Sequence, residues 1–271
     1  MSETPLFLPS GLAADLHGGG TTAVLFLPGW SGTRYGPQRI LLDAARACAA
    51  RGATTLRLDF RGRGDSPGDP LATTLDEMIA DAAEAVAWLR AEQGIGRVHL
   101  VGLCSGGNVA LGAASLLRDV GHVVCWSLLP FMEHKARAAK QGTPRRALLR
   151  QYAAKLLRPE TWRRLLRGEA NVKGAMQTLA KDKEGDDAER GRKTSARDIL
   201  RDLQGFSGRL HLLYGGRDPE SAGSRAFFEA WCRRQRIAVD VRVIDGAPHN
   251  FYTAAWTEAV AAQTADWLFP A

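Results

Sequence analysis

The hexapeptide Gly102-Leu103-Cys104-Ser105-Gly106-Gly107 follows the apolar run Val98-His99-Leu100-Val101 and sets a thiol beside a hydroxyl in a glycine-rich junction between a strand and a helix. A nucleophile at the apex of such a turn has a strained backbone, and small residues two positions to either side let strand and helix approach closely. Counted from Cys104, those positions are Gly102 and Gly106, with Gly107 extending the contact; counted from Ser105, they are Leu103 and Gly107, and the leucine would crowd the turn. Spacing therefore selects the thiol. The plainer alternative for the same residues is a glycine-rich loop that buries a small apolar cysteine.

A thiol nucleophile needs a base, and the base needs a carboxylate to orient it. His249, in Asp245-Gly246-Ala247-Pro248-His249-Asn250, follows the last strand pattern. Asp218, in Gly215-Gly216-Arg217-Asp218-Pro219, follows the strand pattern before it. An Asp before Pro is also a common turn or capping residue, and Asp245 and Glu133 are alternative acids. Developing negative charge on a substrate oxygen would be met by backbone N–H groups. The residue after the nucleophile, Ser105, is one expected donor. The other lies in Leu27-Pro28-Gly29-Trp30-Ser31-Gly32, with Trp30 the first choice and Ser31 the second.

The elements that must position these residues alternate along the chain, as in a mostly parallel sheet flanked by helices. Strand patterns cover 21–27, 53–60, 98–101, 123–128, 210–214 and 239–244. Helical patterns cover 37–51, 74–93, 105–118, 222–236 and 252–268, with Thr74 and Glu77 spaced as a capping box. Between 131 and 205 the patterns are helical only, and 181–193 is polar enough to be a loop. This segment carries 19 Lys/Arg and 10 Asp/Glu against 17 and 19 in the rest of the chain, so the whole excess of the +7 net charge lies in it. The domain expectation is a core of 1–130 and 206–271 with a basic helical cap over 131–205. The 271 residues, 45% hydrophobic and 24% charged, suffice for one large core. No apolar run is long enough to span a membrane, the N-terminal residues do not read as a secretory signal, and the four scattered cysteines lack metal or disulfide spacing. A cytoplasmic protein without metal or cofactor is expected, with Cys48, Cys125 and Cys232 as core residues.

Three motifs, Pro28-Gly29-Trp30, Gly102 to Gly107 and the Asp218/His249 pair, resemble the α/β-hydrolase superfamily, in which nucleophile, acid and histidine occur in this chain order. The likeness runs from about residue 20 to the C-terminus. Asp59-Phe60-Arg61-Gly62-Arg63-Gly64-Asp65-Ser66 also resembles the turn after the fourth strand of those enzymes. Cysteine replaces the usual serine, and Gly-x-Cys-x-Gly-Gly is similar to the elbows of dienelactone hydrolases and polyhydroxyalkanoate synthases. The layout resembles capped hydrolases that accompany exosortase systems. The resemblance implies the α/β-hydrolase fold with a helical cap inserted after the sixth strand. His17-Gly18-Gly19-Gly20 is similar to the oxyanion segment of lipases, but it precedes its strand and is expected to be a hairpin turn.

A thiolate is favoured beside a histidine and at a helix N-terminus, so a resting thiolate–imidazolium pair is expected between Cys104 and His249. Its chemistry would be attack on an ester or thioester carbonyl, giving an S-acyl enzyme that His249 then releases to water. An acyltransferase passing the group to an amine or alcohol is the second reading, and a catalytically silent module binding an acyl ligand or carrier protein the third. Arg145, Arg146, Arg150, Arg163, Arg164 and Arg167 would suit coenzyme A or an acyl carrier protein. A solvated basic surface explains them equally, and Trp162, Leu165 and Leu166 would suit a lipid interface or core packing. Nucleic acid is not expected, since no binding module is present.

Overall fold

Hydrogen bonding, capping and burial turn these patterns into one eight-stranded sheet in a computed structural model that describes residues 3–130 and 193–270. The strands are β1 (Thr4–Phe7), β2 (Ala13–His17), β3 (Thr22–Leu27), β4 (Thr54–Leu58), β5 (Arg97–Leu103), β6 (Val120–Trp126), β7 (Arg209–Gly215) and β8 (Ala238–Ile244). Their order is β1-β2-β4-β3-β5-β6-β7-β8. From β4 to β8 all neighbours are parallel, and β1 and β2 add an antiparallel edge. The helices are α1 (Ile40–Ala50), α2 (Leu75–Gln93), α3 (Ser105–Leu116), α4 (Ile199–Asp202), α5 (Ser221–Gln235) and α6 (Ala254–Leu268). Residues 131–192 enter the chain between β6 and α4, so the helical patterns and the six basic-face arginines lie outside the described residues.

Central strands buried on both faces become runs of apolar residues, as in Val24 to Leu27 and Val98 to Leu103, interrupted only at His99. One core cluster packs α2, α3 and α5 on one face, with Ile79, Val86, Val109 and Phe228 among its members. The other packs α1 and α6 around Leu41, Ala44, Val260 and Ala265. Thr74 caps α2 with the reciprocal bonds expected from its spacing with Glu77. Two starts differ from the sequence pattern. The 37–51 helix begins as a short 3-10 turn at Pro37–Arg39, because Gln38 and Arg39 take positive φ before α1 proper begins. β6 begins three residues early, since Val120 pairs with Val98 and His122 with Arg209 across the sheet.

The hairpin expected at Gly18–Gly20 is corrected. β2 and β3 are not neighbours, for β4 lies between them. The connection crosses the start of β4 so closely that a Cβ at Gly18 would sit 2.1 Å from Ala53 O, and one at Gly20 would sit 1.8 Å from Gly52 O. These glycines serve a backbone crossing.

The C-terminal ends of β5, β7 and β8 lead into the loops of Cys104, Asp218 and His249. The opposite ends of β5, β6 and β7 hold a second group of histidines. His122 N–H donates to His99 Nδ1 (2.9 Å), His122 Nδ1 lies 2.8 Å from His211 Nε2, and His211 Nδ1 lies 3.1 Å from Asp240 Oδ2. A 410 Å³ cavity bordered by Arg97, Asp119, His122 and Arg209 opens there, away from the candidate site. Burial pushes His99 down to about 3 and His211 down to about 4, helped in both by the neighbouring His122. His122 is lowered by burial together with Arg209 and Arg97. Below the ordinary histidine value of 6.5 the unfolded chain takes up protons that the folded chain refuses, so stability falls as pH drops from 6.5 toward 4. Each such histidine steepens that fall by about 1.4 kcal/mol per pH unit. His99→Asn retains an acceptor where Nδ1 stood and should remove one proton's worth of the slope. Denaturant unfolding at a series of pH values between 7 and 4 measures it.

Candidate functional site

Cys104 stands between β5 and α3 with φ 54° and ψ −117°, a conformation costly for a residue with a side chain. The turn is forced by close approach. A Cβ at Gly102 would lie 2.2 Å from Gly106 O, and one at Gly106 would lie 2.4 Å from both Leu27 O and Pro28 O. Gly107 faces Cys125 and Leu128 at the end of β6 in the same way. Cys104 N–H donates to Trp126 O (2.8 Å), and Gly107 N–H donates to Cys104 O (3.0 Å), so both sides of the apex are held. Cys104 is half-buried, whereas Cys48, Cys125 and Cys232 are buried. Burial pushes the Cys48 and Cys232 thiols up to about 12 and raises Cys125 further, so those three do not ionise near neutral pH.

The structure brings His249 and Asp218 to this apex. His249 Nδ1–H donates to Asp218 Oδ2 at 2.7 Å, which leaves Nε2 as the ring nitrogen available to Cys104, whose proximity also favours the charged ring. Asp218 Oδ1 also accepts from Glu220 N–H (3.1 Å), so the carboxylate both orients the histidine and caps its own turn. Burial would raise the Asp218 carboxyl, but the bonds from His249 and Glu220 outweigh it and hold it below the usual value. The hydrogen bond to Asp218, then that to Cys104, lift His249 to about 10 against the effect of burial. Of the alternative acids, Asp245 is exposed and Glu133 lies outside the described residues. The two loops are fastened together, with Arg217 N–H donating to Ala247 O (2.9 Å) and Gly216 N–H to Ile244 O (2.9 Å). Ser127, at the end of β6, donates its hydroxyl to His249 O (2.7 Å).

The loop after β3 passes the apex on its other side. A Cβ at Gly29 would be 3.8 Å from Cys104 Cβ and 3.6 Å from Leu103 O. Gly32 N–H donates to Gly29 O (2.9 Å), closing a tight turn with Trp30 and Ser31 at its centre. Ser105 opens the first turn of α3, whose leading N–H groups have no partner within the helix. Ser105 is thus adjacent to Cys104, and Trp30 follows the Gly29 that faces it. Beside them opens a cavity of 470 Å³ lined by Trp30, Ser31, Gly62, Arg63, Gly64, Pro70 and Leu71.

What fixes the β3 loop is a buried charge cluster that sequence reasoning missed. Arg34 reaches Asp15 (3.0 Å), Asp59 and Asp65 (2.9 Å), and its own N–H donates to Asp59 Oδ1 (2.6 Å). Arg57, 1% exposed in its side chain, pairs with Asp15 and Glu3, each at 3.0 Å. The signal was present as a charge inside a strand pattern, at Arg57 within 53–60, where a charge requires a buried partner. Ser127 carried no such signal. Among the described residues no group of histidines, cysteines and carboxylates has the geometry of a metal site.

A family model described as "Alpha/beta hydrolase family" matches residues 24–263. The chain belongs to the alpha/beta hydrolase family. No curated protein matches it in sequence. Among solved structures it is similar to the Pyrococcus furiosus esterase Pf2001, at TM-score 0.65 and 20% identity over 98% of this chain and 89% of that one. Est1E from Butyrivibrio proteoclasticus, solved with ferulic acid bound, gives TM-score 0.66 and 14% identity over 98% and 97% of the two chains. Dienelactone hydrolase from Anabaena variabilis gives 0.63 and 17% over 98% and 96%. At these identities the likeness is one of fold. No helix among the described residues is long and apolar enough to cross a membrane.

Because its proton affinity is raised on folding, His249 contributes stability that is full below pH 6.5 and is lost as pH rises toward about 10. Its ring should stay protonated at neutral pH and titrate near 10 by NMR. Either Asp218→Asn or Cys104→Ala should bring that titration down toward 6.5, since each removes a group that favours the charged ring.

Proposed function

We propose that the protein is a cysteine-dependent hydrolase of ester or thioester bonds acting through an S-acyl enzyme, with Cys104 as nucleophile, His249 as base and acid, and Asp218 as orienting carboxylate. The observation that supports it is the accessible thiol held at a positive-φ apex against a histidine already bonded to a buried carboxylate. A serine elbow would need its base to remove a proton during attack. Here the raised proton affinity of His249 supports a proton resident on the imidazole before attack.

In this mechanism the thiolate adds to the substrate carbonyl carbon, and the N–H groups of Ser105 and Trp30 hold the resulting oxyanion. Collapse breaks the bond to the alcohol or thiol, which takes the proton from His249 Nε2. Neutral His249 then removes a proton from water as the water attacks the thioester carbonyl. The second tetrahedral species collapses to free acid and returns the thiolate beside the imidazolium. Asp218 stays ionised throughout, and its bond to Nδ1–H keeps Nε2 turned toward sulfur.

The substrate class proposed is a small acyl ester or thioester. The positive balance of 131–205 supports, as an extension, a phosphate-bearing leaving group such as coenzyme A or a carrier-bound phosphopantetheine. The same segment is proposed as the helical cap of the core.

Cys104→Ala should lower ester and thioester turnover by at least about 10³-fold and abolish labelling by a thiol-directed probe. Full activity in that variant would overturn the mechanism. Intact mass measurement during turnover should show one acyl group on the wild-type chain and none on the variant. With amines or alcohols added in excess, the product should still be free acid; transfer to the added nucleophile would make the protein an acyltransferase instead.

A further inference from the structure

We infer that Arg63 is a positioning residue for the reaction, setting the oxyanion loop by locking the central peptide of the Gly29–Gly32 turn. The inference rests on the assignment of Cys104 as nucleophile and concerns how the donors that serve it are aimed.

The turn between Gly29 and Gly32 is closed by one backbone bond, Gly32 N–H to Gly29 O. That bond fixes the Gly29–Trp30 peptide, whose N–H, trans to the bonded carbonyl, is the Trp30 donor. The next peptide, Trp30–Ser31, has no such closure. In a four-residue turn this central peptide is the unit whose reversal separates one turn type from another, carrying the neighbouring φ and ψ with it. Reversal would swing Ser31 N–H, the second candidate donor, to the other side of the turn and leave Trp30 N–H held by the Gly32 bond alone.

Arg63 grips this peptide and its side chain together. Its Nε–H donates to Trp30 O at 2.6 Å, a charge-assisted bond, and its guanidinium lies over the Trp30 ring with Cζ 5.2 Å from the centroid. Its other nitrogens donate to Arg61 O (2.9 Å) and Pro70 O (3.4 Å), so the planar fork is itself held by the turn from which it projects. That turn is in turn fixed to the oxyanion loop by Asp59, which accepts from Arg34 N–H and binds the Arg34 guanidinium. The two contacts bracket the loop, Asp59 at Arg34 and Arg63 at Trp30. Arg63 is 7% exposed, so its hydrogen bonds compete little with water.

A residue that aims the oxyanion donors should matter when a carbonyl is attacked and not when sulfur displaces a halide, since displacement forms no oxyanion. Iodoacetamide reports the second reaction at Cys104, the other three thiols being buried. The acyl burst with a p-nitrophenyl ester reports the first. Arg63→Ala should slow the burst about 10- to 100-fold, near the lower range seen when an oxyanion donor is removed outright. Its ester concentration for half-saturation and its iodoacetamide rate should both remain within about twofold of wild type. Arg63→Lys should recover part of the loss, because an ammonium can still donate to Trp30 O, and should keep the wild-type melting temperature. If the burst and the alkylation slow together in both variants, the side chain merely supports the fold. If neither slows, the inference is wrong. Ester turnover that survives complete alkylation of Cys104 would instead overturn the nucleophile assignment, a different and separable failure.

Discussion

The candidate site depends on how closely three pieces of backbone meet beneath Cys104. β5 must turn into α3 while the helix start lies against the carbonyls of Leu27 and Pro28 and against the end of β6. No side chain fits at Gly102 or Gly106, and the residue between them is left with positive φ. The strain is held by sheet and helix bonds on both sides, Cys104 N–H to Trp126 O and Gly107 N–H to Cys104 O. From this one compression follow the projection of the thiol, its seat at the N-terminal end of α3, and the nearness of the β3 loop. The packing that strains the turn also assembles the site.

A second layer of constraint acts on the loop after β3, which has no secondary structure of its own to hold it. Its anchors are charges: Arg34 among Asp15, Asp59 and Asp65, Arg57 behind Asp15, and Arg63 at the Trp30 carbonyl. Burial works against the charge on Arg34, and its contacts with Asp65, Asp59 and Asp15 more than restore it. Buried ion pairs contribute little net stability, since desolvation cancels much of the attraction. Their directional bonds instead make one loop position far better than its alternatives. The Asp59 turn therefore helps to fix the loop after β3, although it touches neither the thiol nor the histidine.

The sheet places histidines at both ends and treats them oppositely. At the carboxyl end His249 meets a buried carboxylate and a thiol, and its proton is held to about pH 10. At the amino end His99, His122 and His211 meet one another and two arginines in a buried setting, and their neutral forms are favoured. Burial disfavours charge at both ends; the partners decide the outcome. The low-pH fragility of the second group accompanies no role in the proposed chemistry.

Much of the site was legible because it is written in local spacing. The glycines around Cys104 announce a close approach whatever the partners are, and Asp218 and His249 follow strand patterns that a parallel sheet must align at one end. Thr74 and Glu77 foretold a helix start for the same local reason. The hairpin expected at Gly18–Gly20 failed because strand order is a tertiary matter: the glycines signalled a tight backbone, but β4 came between β2 and β3. Arg34, Arg63 and Ser127 stayed silent because the partners that tie them to other loops lie 19 or more residues away, and no local rule pairs Arg63 with the Trp30 carbonyl or Ser127 with that of His249. The sequence by itself determined which atoms could react, since residue type and backbone strain are local properties. Only the tertiary structure decided which loops brace those atoms, because long-range hydrogen bonds and ion pairs exist only once the sheet has brought them together.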